Sequence, residues 1–360
     1  MKKLKVALVH DYLNQWGGAE NVLKELSEIF PCAPIFTLLV DPKKIQNELK
    51  GKKIYTSFIQ RLPFSLKFYR EFSILYPLAI ETFDLRDFNL IISSTSGFAH
   101  GIIPPPNSIH ISYFHTPLRY AFHFYHEYRK NQKFFSKITK DILLHYFRIW
   151  SFSAVNRVDY FIANSRETKR RIELYFNKKA RVIFPPVDTD FFKPSQEEKD
   201  NYFIFVGRIR DYKRLDIAIS ATRELGYRLF VVGDYYKGKR IPMGEGVRFL
   251  GTVSKEELRT LYQKARALIM PGLEDFGIVP LEANACGTPV IAFKGGGALD
   301  TVIDGETGVF FEHQNKDSLI EAILKFEKMK FDKDVLVKNA LRFSKERFRE
   351  EIKEFINEVI

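Results

Sequence analysis

Residues 202–233 read YFIFVGRIRDYKRLDIAISATRELGYRLFVVG, and the fold class follows from this stretch. Tyr202–Val206 and Arg228–Val232 are five-residue, mostly apolar runs, short for helices, and each runs straight into a glycine. Between them Arg214–Glu224 carries a helical pattern. Strand, helix and strand in that order make a βαβ unit, whose two strands run parallel with the helix laid on one face.

The alternation continues in both directions. Downstream, Arg248–Leu250, Ala267–Met270 and Val290–Phe293 read as strands, Lys255–Lys264 and Val279–Ala285 as helices, and a long helical pattern runs from Asp334 to Ile360. Upstream, Lys5–His10, Asn89–Ser94, Ser108–Phe114 and Asp159–Asn164 are strands, with helices at Ala19–Ile29 and Ser165–Phe176. Between the two series lies FPPVDTDFFKP (184–194), whose three prolines fix φ and cannot donate to a ladder. The expected fold is therefore α/β: two Rossmann-like, doubly wound domains facing across a cleft. The first spans 1–185, with a C-terminal helix near 343–360 packing back on it. The second spans 196–342, and 186–195 is a hinge. A chain of 360 residues fits two cores better than one.

Composition narrows the class. Apolar residues at 45% argue against a disordered chain, and two cysteines far apart, Cys32 and Cys286, give no disulfide framework or cysteine-based metal site. A reducing, cytoplasmic setting fits. The opening MKKLKVALVHDYL reads as a strand rather than a signal peptide, and no apolar run approaches the length of a membrane span. The net charge of +12 favours anionic partners without choosing among nucleic acid, lipid and phosphorylated small molecules.

In a doubly wound domain ligands gather at the carboxyl ends of the strands, and the polar residues of the second half lie there. PGLEDFGIVPLEANACGTPVIAF (271–293) puts Glu274 in a loop after a strand, Phe276-Gly277 at a helix start with Pro280 in its first turn, and Glu282 within that helix. Free amides and the positive dipole end suit a diphosphate or sugar hydroxyls. A carboxylate at Glu282 can accept both hydrogen bonds of a ribose diol. On spacing alone, a capping Glu274 and a solvated Glu282 explain the pattern equally well. Arg208, just past a strand-ending glycine, and Lys213, at the next helix start, form a cationic pair suited to a diphosphate, or two exposed surface charges.

Taken together, Glu274-x7-Glu282 with EANACGTPV, Arg208-x4-Lys213, the PPVDTDFF connection, HDYLNQWGGAE (10–20), SYFHTPLRY (112–120) and RVDYFIANS (157–165) resemble glycosyltransferase family 4, of the GT-B fold. Within it they are similar to a mannosyltransferase-like subgroup of bacterial surface-polysaccharide biosynthesis. The resemblance implies a retaining, nucleotide-sugar-dependent enzyme. Glu282 would bind the donor ribose, and Arg208 and Lys213 its diphosphate. Glu274 and the amides of Phe276, Gly277 and Ile278 would hold the transferred sugar. Gly17 and Gly18 would let backbone approach that sugar, and His115 would stand beside the anomeric carbon. Asp300 departs from the family's Glu, and Phe122-His123 from its Trp-Asp, so acceptor identity is the least determined feature.

The implied donor is a nucleotide sugar, GDP-mannose first and a UDP-sugar second; the acceptor is a saccharide or a lipid-linked saccharide, and no nucleic acid is expected. No cofactor and no metal are expected either, since Asp188-Thr189-Asp190 falls in the proline-rich connection, where turn chemistry explains it. Phe134, Phe135, Ile138, Ile142, Tyr146 and Ile149 recur at roughly helical spacing among Lys133, Lys137, Lys140 and Arg148. With the basic, aromatic segment 61–76, this suggests peripheral attachment to the inner membrane face. Three alternatives remain: a sugar-nucleotide epimerase or phosphorylase of the same architecture, a non-enzymatic basic nucleic-acid-binding protein without a recognised motif, and an NAD-dependent oxidoreductase, disfavoured because no GxGxxG follows the first strand.

Overall fold

Val6–His10 (β1) is buried along its whole length, as a strand covered on both faces must be. The computed structural model describes residues 4–45, 48–130, 134–234 and 244–360. They fall into two units, residues 1–185 with 349–360, and residues 186–348. In the first, β1 lies at the centre of a parallel sheet with β2 (Ile35–Thr37), β3 (Ile54–Thr56), β4 (Leu90–Thr95), β5 (Ile109–Phe114), β6 (Tyr160–Ala163) and β7 (Arg181–Val182). The order is β3-β2-β1-β4-β5-β6-β7. Strand order reverses between β1 and β4, so the ligand-binding position of this sheet lies beyond His10 and Thr95.

The second unit repeats the plan with β8 (Tyr202–Val206), β9 (Arg228–Val232), β10 (Val247–Gly251), β11 (Leu268–Met270), β12 (Val290–Phe293) and β13 (Gly308–Phe311). The order β10-β9-β8-β11-β12-β13 is the doubly wound Rossmann arrangement, with its reversal between β8 and β11. At that point the loop after β8 passes against the turn after β9. Gly233 has φ +137°, and a Cβ there would stand 2.0 Å from the Gly207 carbonyl oxygen. Only glycine fits this approach.

Both sheets are doubly wound, as expected from the sequence. Two features differ from the expectation. Residues 186–195 are not a bare connection but packed chain within the second unit. Val187 N–H donates to the Phe343 carbonyl at 2.8 Å, and Phe192 is buried with its ring 5.9 Å from that of Tyr262. The prolines deny this segment a sheet ladder, but Val187 and Phe192 still have apolar surface to hide. Asp188 accepts from the ammonium groups of Lys255 at 2.5 Å and Lys345 at 2.6 Å. Burial opposes its charge, yet those two cations hold its carboxyl below the ordinary range.

The helical pattern over 334–360 is two helices, Lys333–Leu341 and Lys345–Val359. They part because Phe343 is buried and its carbonyl is taken by Val187. From Arg349 onward the chain belongs with the first unit. There Arg349 pairs with the buried Glu25 at 2.6 Å and with Glu28, and Phe355 meets Tyr160 edge-on.

Helix Phe134–Ala154 carries apolar side chains both toward the core and outward. Leu144, Phe147 and Trp150 enter the core of the first unit, while Ile138, Ile142, Tyr146, Ile149 and Phe152 are exposed. Of the cations expected among them, Lys133 lies outside the described residues, and Arg148 is half-buried, its guanidinium donating to the Ala121 carbonyl at 2.9 Å.

Candidate active site

In the second unit the strand order brings the loop after β8 beside the loop after β11, and their side chains meet. Lys213 Nζ forms an ion pair with Glu274 Oε1, the two side chains being 16% and 10% exposed. Neither charge could sit there alone: removing one partner of such a pair strands the other at a cost of about 3–5 kcal/mol. The sequence suggested separate roles for these residues, and the structure places them in contact.

The Glu274 loop is clasped from below by Gly295-Gly296-Gly297. Gly297 N–H donates to the Glu274 carbonyl at 2.9 Å. A Cβ at Gly296 would stand 2.3 Å from that carbonyl oxygen, and one at Gly297 2.1 Å from the carbonyl oxygen of Phe276. Backbone lies directly on backbone here, which fixes the loop that carries Glu274. Phe276 is buried and anchors the loop's far end, with its ring 5.8 Å from Phe343. Gly277 follows with φ +83°, and Ile278 leads into the helix Val279–Ala285. Arg208 is exposed on the loop after Gly207.

Glu282 lies half-buried in the helix Val279–Ala285, where its Oε2 accepts from the hydroxyl of the fully buried Tyr262 at 3.0 Å. Burial raises the Glu282 carboxyl to about 7, and the Tyr262 hydrogen bond works in the opposite direction. The Tyr262 phenol is itself pushed far above its ordinary range by burial, so it stays a donor. A carboxyl near 7 with one oxygen held by a tyrosine is a poised acceptor for a hydroxyl-bearing ligand.

In the first unit, the residues past β1, β4 and β5 form a buried polar cluster. Asp11 accepts backbone N–H bonds from Ser96 at 2.6 Å, Phe98 at 2.7 Å and Ala99 at 2.7 Å, and so shapes the loop after β4. His115, just beyond β5, continues the ladder by donating its N–H to Thr95 at 2.8 Å, and its carbonyl accepts from Thr168 at 3.1 Å. Its Nε2 lies 2.8 Å from Ser94 Oγ, which is also 3.2 Å from His10 Nδ1. Gly17 caps the helix Gly18–Ile29 in an extended conformation. Asp11, His10 and Ser94 carried no role in the sequence reading. The signal available was that β1 and β4, otherwise apolar runs, end in polar residues (His10-Asp11, Ser93-Ser94-Thr95).

Comparison with known proteins assigns the family. The model for "Glycosyltransferase Family 4" matches residues 16–191, and that for "Glycosyl transferases group 1" matches residues 186–343. Between them they span residues 16–343, and the chain belongs to the glycosyltransferases that these two models describe. A D-inositol 3-phosphate glycosyltransferase of Mycobacterium avium is 32% identical over 197 residues, 47% of this chain and 46% of that protein. An uncharacterized glycosyltransferase of Methanocaldococcus jannaschii is 30% identical over 179 residues, covering 48% and 50%. The chain spans about half the length of these curated relatives.

Among solved structures, Anabaena HepE in complex with UDP and glucose matches with a TM-score of 0.73 at 18% identity, covering 99% of this chain and 100% of that one. The apo form of WaaB, a lipopolysaccharide outer core galactosyltransferase, matches with a TM-score of 0.67 at 17% identity, covering 99% and 100%. These likenesses establish the fold.

The titration of Glu282 gives a test. The ribose-binding role expected of Glu282 requires the carboxylate, because a ribose diol donates two hydrogen bonds, and the carboxylate is lost as pH falls through about 7. The donor kcat/KM should therefore drop below pH 7 and level off above it. Glu282→Gln should flatten that step, and Tyr262→Phe, which removes the bond favouring the carboxylate, should move it to higher pH. A profile that keeps its step in Glu282→Gln would contradict the assignment.

Proposed function

We propose that this protein is a retaining glycosyltransferase that moves a hexose from a nucleotide-sugar donor to a saccharide or lipid-linked acceptor, in surface-polysaccharide biosynthesis. The contact between Lys213 and Glu274 at the β8–β11 reversal carries the reading. A donor brings a diphosphate for the cation and sugar hydroxyls for the carboxylate, so one ligand offers each charge a new partner. Lys213 and Arg208 then offset the charge on the departing diphosphate. Glu274 accepts from hydroxyls of the transferred sugar, Glu282 accepts from the ribose, and the amides of Phe276, Gly277 and Ile278 lie along the sugar.

In the first unit, a Cβ built at Gly18 meets nothing within 4 Å, so the chain's own packing makes no use of that residue's smallness. A ligand approaching the backbone at Gly17-Gly18 would use it. His115 takes the place beside the reacting carbon. Attack occurs on the face that the diphosphate leaves, and a departing phosphate oxygen receives the acceptor proton. The protein contributes position and charge, and no metal enters the scheme. For the donor, a UDP-hexose now ranks ahead of GDP-mannose, because Anabaena HepE was solved with UDP and with UDP-glucose.

Kinetics separate the two glutamates. Glu274→Gln keeps an acceptor for Lys213 and should lower kcat about 10²-fold, because its contact strengthens as charge develops on the sugar. Glu282→Ala should raise the donor KM with kcat nearly unchanged, as expected for a contact made equally in ground and transition states. Equal, small effects from both would sink the reading, and so would nucleotide-sugar isomerisation or phosphorolysis in place of transfer.

The protein works, on this proposal, at the inner face of a membrane. Phe64, 74% exposed, and Ile142, 65% exposed, are outward apolar side chains of the first unit, as are Ile74, Leu78, Ile149 and Phe152, and Arg61, Lys67 and Arg70 lie on the segment that carries Phe64. No helix among the described residues is long and apolar enough to cross a membrane. Cosedimentation with vesicles containing anionic lipid should be strong at low salt and weak at high salt. Equal binding to neutral vesicles would contradict the electrostatic attachment.

A further inference from the structure

Four buried side chains of the first unit form a line that ends at His115. Glu20, in the first turn of the helix Gly18–Ile29, places Oε1 4.0 Å from His10 Nε2. His10 Nδ1 lies 3.2 Å from Ser94 Oγ, and Ser94 Oγ lies 2.8 Å from His115 Nε2. Glu20, His10 and Ser94 are each 3% exposed or less, and His115 is 8% exposed. The line draws on the ends of β1, β4 and β5, the three central strands of the sheet.

Ser94 decides what the line can do. Its hydroxyl has one proton and two imidazole neighbours, so it can donate to only one ring and must accept from the other. The tautomers of His10 and His115 are therefore coupled. The carboxylate of Glu20 sets the direction: 4.0 Å is too long for a hydrogen bond, but its charge favours the His10 tautomer that turns an N–H toward it. With the proton on Nε2, His10 Nδ1 is an acceptor and takes the Ser94 proton. Ser94 Oγ then accepts from His115, which must carry its proton on Nε2.

We propose that Glu20, His10 and Ser94 are positioning residues that hold His115 as the Nε2–H tautomer, its ring fixed by Ser94. The significance rests on the place proposed for His115 beside the reacting carbon: a lone pair stabilises developing positive charge, and an N–H opposes it. Glu20 and His10 act only through Ser94. Gln15 also donates to Glu20 Oε1, at 3.5 Å, and the ring of Tyr113 lies 5.2 Å from that of His115.

The first readout needs no substrate. In protein labelled with 15N-histidine, long-range proton–nitrogen spectra at neutral pH should show His115 protonated at Nε2, with a slowly exchanging proton. Ser94→Ala should abolish that slow exchange. Glu20→Gln, which touches neither Ser94 nor His115, should still shift the His115 nitrogen signals, and should lower kcat with the donor KM nearly unchanged. A wild-type His115 protonated at Nδ1 would overturn the proposal before any variant is made. So would His115 signals that stay unmoved in a folded Glu20→Gln protein. An enzyme found not to transfer sugar would remove the catalytic significance, and the spectra would still report the relay.

Discussion

A carboxylate and an ammonium group almost withdrawn from water, Glu274 and Lys213, must answer each other, and much of the second unit is arranged to bring them together. The reversal of strand order places the loops after β8 and β11 side by side. Backbone contacts that no other residue permits then seat them: Gly233 against Gly207 on one side, Gly296 and Gly297 under the Glu274 loop on the other. Precise seating matters because the pair gains from its attraction only when the geometry holds, having given up the hydration of both charges. A ligand that supplies an anion to Lys213 and hydroxyls to Glu274 can replace their mutual contact without stranding either group.

The first unit meets the same problem with uncharged chemistry. Asp11 is one of its buried carboxylates, and three backbone N–H groups satisfy it, leaving the loop after β4 closely held. Beside it His10, Ser94 and His115 exchange hydrogen bonds through one hydroxyl. Both units thus keep polar groups at the carboxyl ends of their central strands, each satisfied within its own sheet, where an open α/β sheet offers its ligand position.

Much of this was legible in the sequence because it depends on local pattern. The runs Tyr202–Val206, Arg228–Val232 and Val290–Phe293 are strands with the bounds their apolar residues mark, and the helices Lys255–Lys264 and Val279–Ala285 follow their periodicity. Strands β2, β3, β7 and β13, two to four residues long, were not read from the sequence. The break at Phe343 was hidden for a different reason: periodicity continues across it, and only the long-range bond from Val187 interrupts the helix. Residues 186–195 read as a hinge because proline says what a segment cannot form, not what it packs against. At the site, Glu274 and Lys213 stood out by motif, but their contact needs the strand order. The line from Glu20 to His115 joins residues 95 positions apart in the chain, and no spacing rule reaches across that distance.

The proposed function depends on Lys213 and Glu274 holding a nucleotide-sugar donor. Thermal unfolding in the presence of UDP, GDP or ADP addresses this directly, because a ligand that binds only the folded state raises the melting temperature. One of the three should raise it by several degrees at concentrations well above its Kd, and that rise should be largely lost in Lys213→Ala measured against its own ligand-free baseline. No stabilisation by any of them, or a rise of the same size in Lys213→Ala, would contradict the assignment of this site to the donor.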